Sequence, residues 1–205
     1  MELSKVINAC TQTLIDHVEE LTELDSAIGD GDHGLNMKRG ALAIRAKLPD
    51  LETKNLNDAL KTMGMTCMST VGGSSGPVFG TLLMTLAREL PAAPGPHDLA
   101  AALAASIAAL TRLGKAQVGQ KTLLDVLDPV QRLLAASDPA SADLEAQVRQ
   151  CALDSAAATA TMDAIRGRAS FLGERALGHV DPGSRSMALI IAAICDGLSE
   201  ARTTP

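Results

Sequence analysis

The sequence predicts an all-α fold, and three observations carry that reading. Apolar residues recur every three or four positions along almost the whole of the 205-residue chain, which is the period of an amphipathic helix. No stretch alternates cleanly enough to be a strand. One stretch, Leu99 to Leu110, is rich in alanine, so helix propensity supports the periodicity there.

The elements follow in order. Leu3, Val6, Ile7, Cys10, Leu14, Val18 and Leu21 mark one face of a first helix. Leu56, Leu60, Met63, Cys67, Met68 and Val71 repeat the pattern, as do Leu144, Val148, Cys151, Ser155, Thr159 and Met162. Leu123, Leu127, Val130 and Leu134 mark another helix, in which Pro129 removes a backbone donor and predicts a kink or a break. The helices fall at roughly 2–20, 34–47, 55–71, 75–90, 97–113, 121–136, 141–166 and 182–201. The connections at 21–33, 72–77, 114–120 and 167–183 hold the chemically interesting residues, and Pro91 to Pro96 reads as a plain surface loop.

A chain of this length is expected to form a single domain over 1–205, with enough residues to bury a core. The net charge of −6 argues against nucleic-acid binding. There is no Trp and no Tyr, and only Phe79 and Phe171 are aromatic, so a bound base has to rest on aliphatic side chains. Cys10, Cys67, Cys151 and Cys195 are far apart, without metal-ligand spacing, and read as buried reduced thiols of a cytoplasmic protein. The start, Met1 to Lys5, lacks a signal-peptide pattern, and the apolar run Met187 to Cys195 is too short to span a bilayer, so no membrane association is expected.

The stretch Asp25-Ser26-Ala27-Ile28-Gly29-Asp30-Gly31-Asp32-His33-Gly34 carries the strongest chemical signal. Three carboxylates this close repel one another unless a cation sits among them. Interleaved glycines let the backbone bend so that all three face one point. Hard oxygen ligands of this kind suit Mg²⁺, which usually also takes waters and substrate phosphates. An Asx turn or a helix cap is the plainer alternative for one Asp-Gly pair, but it does not account for three. The twelve-residue ladder of an EF-hand is missing.

His33-Gly34-Leu35-Asn36 opens a helix, whose free N–H groups and positive dipole end suit phosphate oxygens. For Asn36 alone, simple capping is the preferred reading. Gly72-Gly73-Ser74-Ser75-Gly76-Pro77 is either an anion-binding nest or a flexible turn before Pro77 starts a helix. The run Gly114 to Thr122 resembles a P-loop but misses by one residue, since Gln120 separates Gly119 from Lys121, and no strand precedes it. What remains is a nucleotide contact or an ordinary basic turn capped by Thr122. The long connection Gly167 to Gly183 has the length of a lid or binding loop. It carries Arg168, suited to stabilising a transferring phosphoryl group, and Arg175, read as a surface partner of Glu174. Asp181-Pro182 makes an N-cap and first-turn pair for the last helix. His17 and His97 read as solvated, Lys38 and Arg39 as an exposed helix face near the phosphates, and Met63, Met68 and Met84 as core.

Together the segments Leu24 to Met37, Thr70 to Pro77, Gly114-Lys115, Lys121-Thr122 and Gly167 to Gly183 resemble the nucleotide-binding L subunits of bacterial dihydroxyacetone kinases, in order and over nearly the full chain. The resemblance implies an antiparallel barrel of eight amphipathic helices, with the nucleotide held at one end by interhelical loops. It implies that Asp25, Asp30 and Asp32 hold two Mg²⁺ ions. His33, Gly34, Leu35, Asn36, Ser74 and Ser75 would meet the phosphates of ADP or ATP. Gly114, Thr122 and Leu123 would border the nucleoside, and Arg168 with Asp181, Pro182 and Gly183 would close the pocket. Leu123 stands where the family often has Met, and either makes an apolar wall for adenine.

The implied activity is phosphoryl transfer to dihydroxyacetone held on a separate K subunit, with Arg168 as the catalytic side chain and the carboxylates serving as metal ligands. The stand-alone length and the HGxN and GRASxLGER patterns favour recharging of bound ADP by a phosphocarrier M subunit of the phosphotransferase system. Exchange of ATP, in a kinase for dihydroxyacetone or another small ketose, is the alternative. A rival of another class is a non-catalytic ADP-bound subunit that binds a transcription regulator.

Overall fold

The computed structural model of the protein describes residues 3–203, with side chains described up to residue 200. Met1, Glu2, Thr204 and Pro205 lie outside the described residues, as does the expected helix start at residue 2. Among the described residues there are α-helices and 3₁₀ turns and no strand. The helices are α1 (Leu3–Asp16), α2 (Val18–Ile28), α3 (His33–Arg45), α4 (Leu48–Leu51), α5 (Leu56–Thr70), α6 (Ser75–Glu89), α7 (Pro96–Gly114), α8 (Leu124–Ala136), α9 (Leu144–Ala158) and α10 (Pro182–Thr203).

Contacts between elements close a ring. Helix α1 packs on α3, α3 on α5, and α5, α6, α7, α8, α9 and α10 each pack on the next, after which α10 returns to α1. This is a barrel of eight helices, with α2 leaning on α3 and α10. Ile28 at the end of α2 and Gly114 at the end of α7 line the same cavity as His33, Ser75, Leu124 and Pro182 at the starts of α3, α6, α8 and α10. Starts and ends therefore alternate around that mouth, so neighbouring helices run in opposite directions. Four positive helix ends share one opening, which biases it toward anions.

The main core lies beneath this opening. Leu21, Leu124, Val126, Leu127, Met187 and Ala188 are buried there. A second cluster, with Ile7, Leu51, Ala59, Leu60, Met63, Leu90 and Ala102, fills the far end. Helix α9 and the turn after it bury Leu144, Val148 and Thr159 as the periodicity suggests, but over the second half of α9 the inward face shifts by one residue. Ala152 and Ala156 are buried, whereas Cys151 and Ser155 are only half-buried. The small alanine side chains admit the close approach of α10, which presents Ala188 and Ala192. Met63 is core, but Met68 is 47% exposed on the outer side of α5. Of the cysteines, all free, Cys67 and Cys195 are buried while Cys10 and Cys151 are half-buried.

Several boundaries differ from expectation for visible reasons. The first helix is interrupted at His17, whose Nδ1 lies 2.8 Å from the Thr13 carbonyl. Helix then resumes to Ile28, so Asp25 sits on a helical turn rather than in a loop. His17 is half-buried, whereas His97 is exposed as expected. Helix α8 runs through Pro129 without a break, carried by the buried Val126, Leu127, Val130 and Leu134 around it. Helix α9 stops at Ala158, well before 166, in a 3₁₀ turn at Thr159–Thr161.

Two contacts fix the entrance of the barrel. Arg185 on α10 forks onto Glu20 of α2, with Nε 2.5 Å from Oε1 and Nη2 3.3 Å from Oε2. Gly34, in the first turn of α3, lies against α2 so closely that a Cβ would stand 2.2 Å from the Val18 carbonyl oxygen and 2.3 Å from Thr22 Oγ1. A backbone carbonyl cannot swing aside, so Gly34→Ala is expected to destabilise the fold by about 1–3 kcal/mol through overpacking. Urea denaturation checks this, and an unchanged midpoint would refute the close α2–α3 contact.

Candidate functional site

The acidic cluster is built by the α2–α3 turn. Gly29 donates its N–H to the Asp25 carbonyl at 2.5 Å and ends the helix, and Gly31 adopts φ +74°, a conformation that favours glycine. A Cβ on Gly29 would fall 2.1 Å from Asp25 Oδ1, so only glycine leaves that oxygen room. Asp25 is buried, and its Oδ2 accepts N–H bonds from Asp32 at 2.8 Å and His33 at 3.1 Å. Asp32 occupies the N-cap position of α3, yet its side chain makes no capping bond. Its carboxylate turns instead toward the other two acids. Oxygens of Asp25, Asp30 and Asp32 lie within 4.8 Å of one another. Three anions at that separation demand a compensating charge. Arg168 reaches over from the far loop and pairs with Asp30. The donor set, hard carboxylate oxygens with open positions, fits a magnesium ion.

Beside the acids, helix starts present unsatisfied donors. The first α3 bond of the helical ladder is Asn36 N–H to the Asp32 carbonyl, which leaves the N–H groups of Gly34 and Leu35 without intrahelical acceptors. In α6 the first such bond is Val78 N–H to the Ser74 carbonyl, and Ser74 makes no side-chain cap. His33 joins three helices. Its Nδ1 lies 3.2 Å from Ser75 Oγ and its Nε2 lies 3.1 Å from Ser186 Oγ, while Ser186 donates to the Gly183 carbonyl at 3.0 Å. Because the Ser186 proton is committed, His33 must donate from Nε2 and accept the Ser75 hydroxyl at Nδ1. Burial lowers the His33 pKa, against the opposing pull of Asp25 and Asp32, which favours this neutral imidazole.

The opposite wall comes from the turn before α8. The Asp125 carboxylate accepts N–H bonds from Gly119 and, at 2.7 Å, from Thr122. Thr122 Oγ1 accepts from Leu124 N–H at 3.3 Å in a local turn, but the N-cap position of α8 is Leu123, which has no side-chain cap, so Thr122 is not the cap that one sequence reading expects. The turn is not an ordinary basic one, because Lys121 is 2% exposed and points inward. At the start of α10, Asp181 Oδ2 accepts from Ser184 N–H at 2.6 Å and Ser184 Oγ at 2.9 Å.

These parts enclose a cavity of about 380 Å³. Asp25, Asp30, Asp32, His33, Asn36, Ser74, Ser75, Gly114, Thr122, Leu123, Arg168, Asp181, Pro182 and Gly183 all line it. Gly34 and Leu35 do not: the first is packed against α2, and the Leu35 side chain is 59% exposed. What they have to offer a ligand is confined to their backbone N–H groups, which have no intrahelical acceptors. Asn36 is not a cap; it is buried within α3, where its Oδ1 accepts from Arg39. Lys38 and Arg39 are exposed as expected. Among the described residues Arg175 forms no ion pair with Glu174, and both are exposed. Apolar lining comes from Ile28, Val78, Phe79, Leu110 and Leu123. A second, more open groove of about 560 Å³ beside α5 and α6 includes Asn57 and Asp58 of the first turn of α5, with Lys61, Met68 and Met84, but it has a single acidic side chain and no acidic cluster.

Sequence reasoning missed Ser186, Lys121 as a buried group, and Arg166, whose Nε donates to the Lys115 carbonyl at 3.1 Å. Ser186 and His33 are 153 positions apart, so no local spacing links them.

Comparison with known proteins bears on this geometry. A family model described as the DAK2 domain matches residues 27–196. The chain is 38% identical to the ADP-binding subunit of PEP-dependent dihydroxyacetone kinase 1 from Listeria innocua, over 85% of this chain and 84% of that protein. It is 38% identical to the corresponding Escherichia coli subunit, over 88% of this chain and 89% of that one. The dihydroxyacetone kinase of C. freundii, solved in complex with AMP-PNP and Mg²⁺, superposes with a TM-score of 0.70 at 27% identity. That match covers 97% of this chain and 33% of the larger kinase, of which the chain therefore spans about a third.

Burial pushes the Asp181 carboxyl up to about 6, from an ordinary value near 3.8, and the Ser184 hydrogen bonds offset part of the rise. A raised pKa means the folded state holds this proton more tightly than the unfolded chain. Its contribution to stability is full below the unfolded pKa and is lost as pH rises through about 6. Asp181→Asn keeps an acceptor for Ser184 and removes the titration. The variant is expected to lose less stability than wild type between about pH 4 and 6, read as urea midpoints against pH. Parallel profiles would contradict it.

Proposed function

The chain belongs to the DAK2-domain family, and on that footing we propose that it is the nucleotide-holding subunit of a dihydroxyacetone kinase. The observation that carries the reading is the meeting of three carboxylates with the starts of α3, α6 and α10 around one cavity. Carboxylates and phosphates in one pocket are compatible only through a divalent cation, and the helix starts supply the remaining positive field. In this reading residues 1–205 act as one nucleotide-binding domain of a cytoplasmic enzyme.

Asp25, Asp30 and Asp32 hold magnesium, and two ions match three carboxylates facing a polyphosphate. Bound magnesium neutralises phosphate charge and fixes the phosphate oxygens. The N–H groups of Gly34 and Leu35, with Ser74 and Ser75, receive phosphate oxygens. The neutral imidazole of His33 holds Ser75 and Ser186 in place across the helix starts. The aliphatic wall at Leu110 and Leu123 takes the base, consistent with a chain that has no Trp or Tyr. Arg168 brings its guanidinium to the opening and stabilises charge on the phosphoryl group in transit. None of the three aspartates acts as a base, because each is committed to the cation.

The acceptor hydroxyketone is held by a separate subunit, and the phosphoryl group enters from a phosphocarrier of the phosphotransferase system. The Listeria and Escherichia coli relatives are named as ADP-binding subunits of PEP-dependent kinases, which supports a divided enzyme with PEP as the ultimate phosphoryl source.

Three measurements test this function. The protein is expected to purify with ADP and magnesium, and Asp30→Asn is expected to weaken Mg–ADP binding at least about tenfold by calorimetry while far-ultraviolet dichroism stays unchanged. Affinity equal to wild type would remove the metal role. In a coupled assay with the ketose-binding subunit, Arg168→Ala is expected to lower kcat by about 10²-fold. No triose phosphate from wild type with any phosphoryl donor would favour a regulatory role over a catalytic one.

A further inference from the structure

Lys121 is anomalous on two counts. It is 2% exposed, and its backbone sits at φ +60°, a left-handed conformation rare for a residue with a Cβ. Its ammonium donates to the Thr159 carbonyl at 2.6 Å and to the Met162 carbonyl at 3.4 Å. Asp181 and Asp163 supply the nearby negative charge that makes a buried cation tolerable. Capping the end of α9 explains a cation at this spot, but that task needs neither a buried lysine nor a strained backbone.

The surroundings suggest more. The connection 163–180 carries Arg168, and both its ends are tied to the same few residues. At the outgoing end Lys121 holds Thr159 and Met162. At the returning end Gly178 N–H donates to the Ala160 carbonyl at 2.8 Å, and Asp181 N–H donates to Thr159 Oγ1 at 2.9 Å. Lys121 also adjoins Thr122 and Leu123 on the cavity wall. One ammonium thus joins the turn that borders the apolar wall to the base of the loop that delivers Arg168.

We infer that Lys121 is a positioning residue for nucleotide binding, pinning the base of the 163–180 connection to the turn before α8 so that Arg168 is held over Asp25, Asp30 and Asp32. A pinned base restricts the volume that the guanidinium samples, so less freedom is lost when it engages a ligand. The inference rests on the nucleotide reading of the cavity given above.

A double-mutant cycle tests it, with Mg–ADP titrated calorimetrically into the full chain, first freed of any copurified nucleotide and metal, as wild type, Lys121→Met, Arg168→Ala and the double variant. Lys121→Met keeps the stem and removes the donors. It is expected to weaken Mg–ADP binding about tenfold in the wild-type background and less than about threefold when Arg168 is already absent. A general structural role would give the same loss in both backgrounds, and that result, or unchanged affinity in Lys121→Met, overturns the inference. If Lys121→Met does not fold by circular dichroism, Thr159→Val, which cuts the opposite anchor through Asp181, takes its place in the cycle with the same expected coupling, and additive losses there overturn it equally. Wild type that fails to bind Mg–ADP would overturn the nucleotide reading itself. Wild type that binds, with losses that add, overturns the Lys121 role alone.

Discussion

Charge compensation at one end of the barrel is the constraint on which the rest of the site depends. Asp25, Asp30 and Asp32 bring their oxygens within 4.8 Å, an arrangement that is unfavourable without a cation. The backbone is organised to hold it nevertheless. Asp25 is clamped by two N–H groups from the start of α3, and Asp32 gives up its capping bond to face the cluster. Glycines at 29 and 31 provide the room and the turn. A fold under selection for stability alone would cap α3 with Asp32 and separate the charges. The geometry instead favours binding over local stability, as functional sites commonly do.

The alternation of helix directions converts that local feature into a site. Starts of α3, α6, α8 and α10 open on the same mouth, so positive dipole ends surround the acids. His33 crosses between them, fixing Ser75 and Ser186 through both ring nitrogens. Barrel closure and the geometry of the mouth are therefore not independent: the packing of α3, α6 and α10 sets the spacing of the donors. Gly34 shows the same dependence, because its contact with α2 determines where the free N–H groups of α3 point.

Much of this was legible in the sequence. Helical periodicity identified the main helices, because long amphipathic segments leave a strong local trace. The DGDH run exposed the acids, since three carboxylates with glycines have few other uses. Where the reading failed, the missing information was non-local. Asp25 lies on a helix because apolar packing carries α2 to Ile28, beyond where the local pattern ends. Leu144 and Val148 of α9 and Thr159 just after it are buried as read, but between them Ala152 and Ala156 replace Cys151 and Ser155 on the inward face because α10 approaches closely, which no property of α9 alone reveals. Pro129 is tolerated because its flanking residues are deeply buried. Lys121 looked like part of a basic turn, and only the carbonyls of Thr159 and Met162, about forty positions away, make it a buried donor.

The two walls of the cavity differ in kind, and that difference bears on how the site works. The wall of acids and helix starts is part of the barrel, with Asp25, His33 and Asn36 buried. The wall that carries Arg168 is a connection of 3₁₀ turns, broken at Gly173 and with Phe171 left 87% exposed. Such a segment has little core of its own and is held chiefly at its base. Rigid helices suit the tasks of holding metal and phosphate, which need fixed geometry. A loop tethered at both ends suits the task of bringing a guanidinium to a ligand that enters and leaves through the mouth. The ion pair between Arg168 and Asp30 joins the two walls across the cavity. Any cation drawn to the three acids would compete with Arg168 for Asp30, so the charge state of the cluster and the placement of Arg168 are physically coupled.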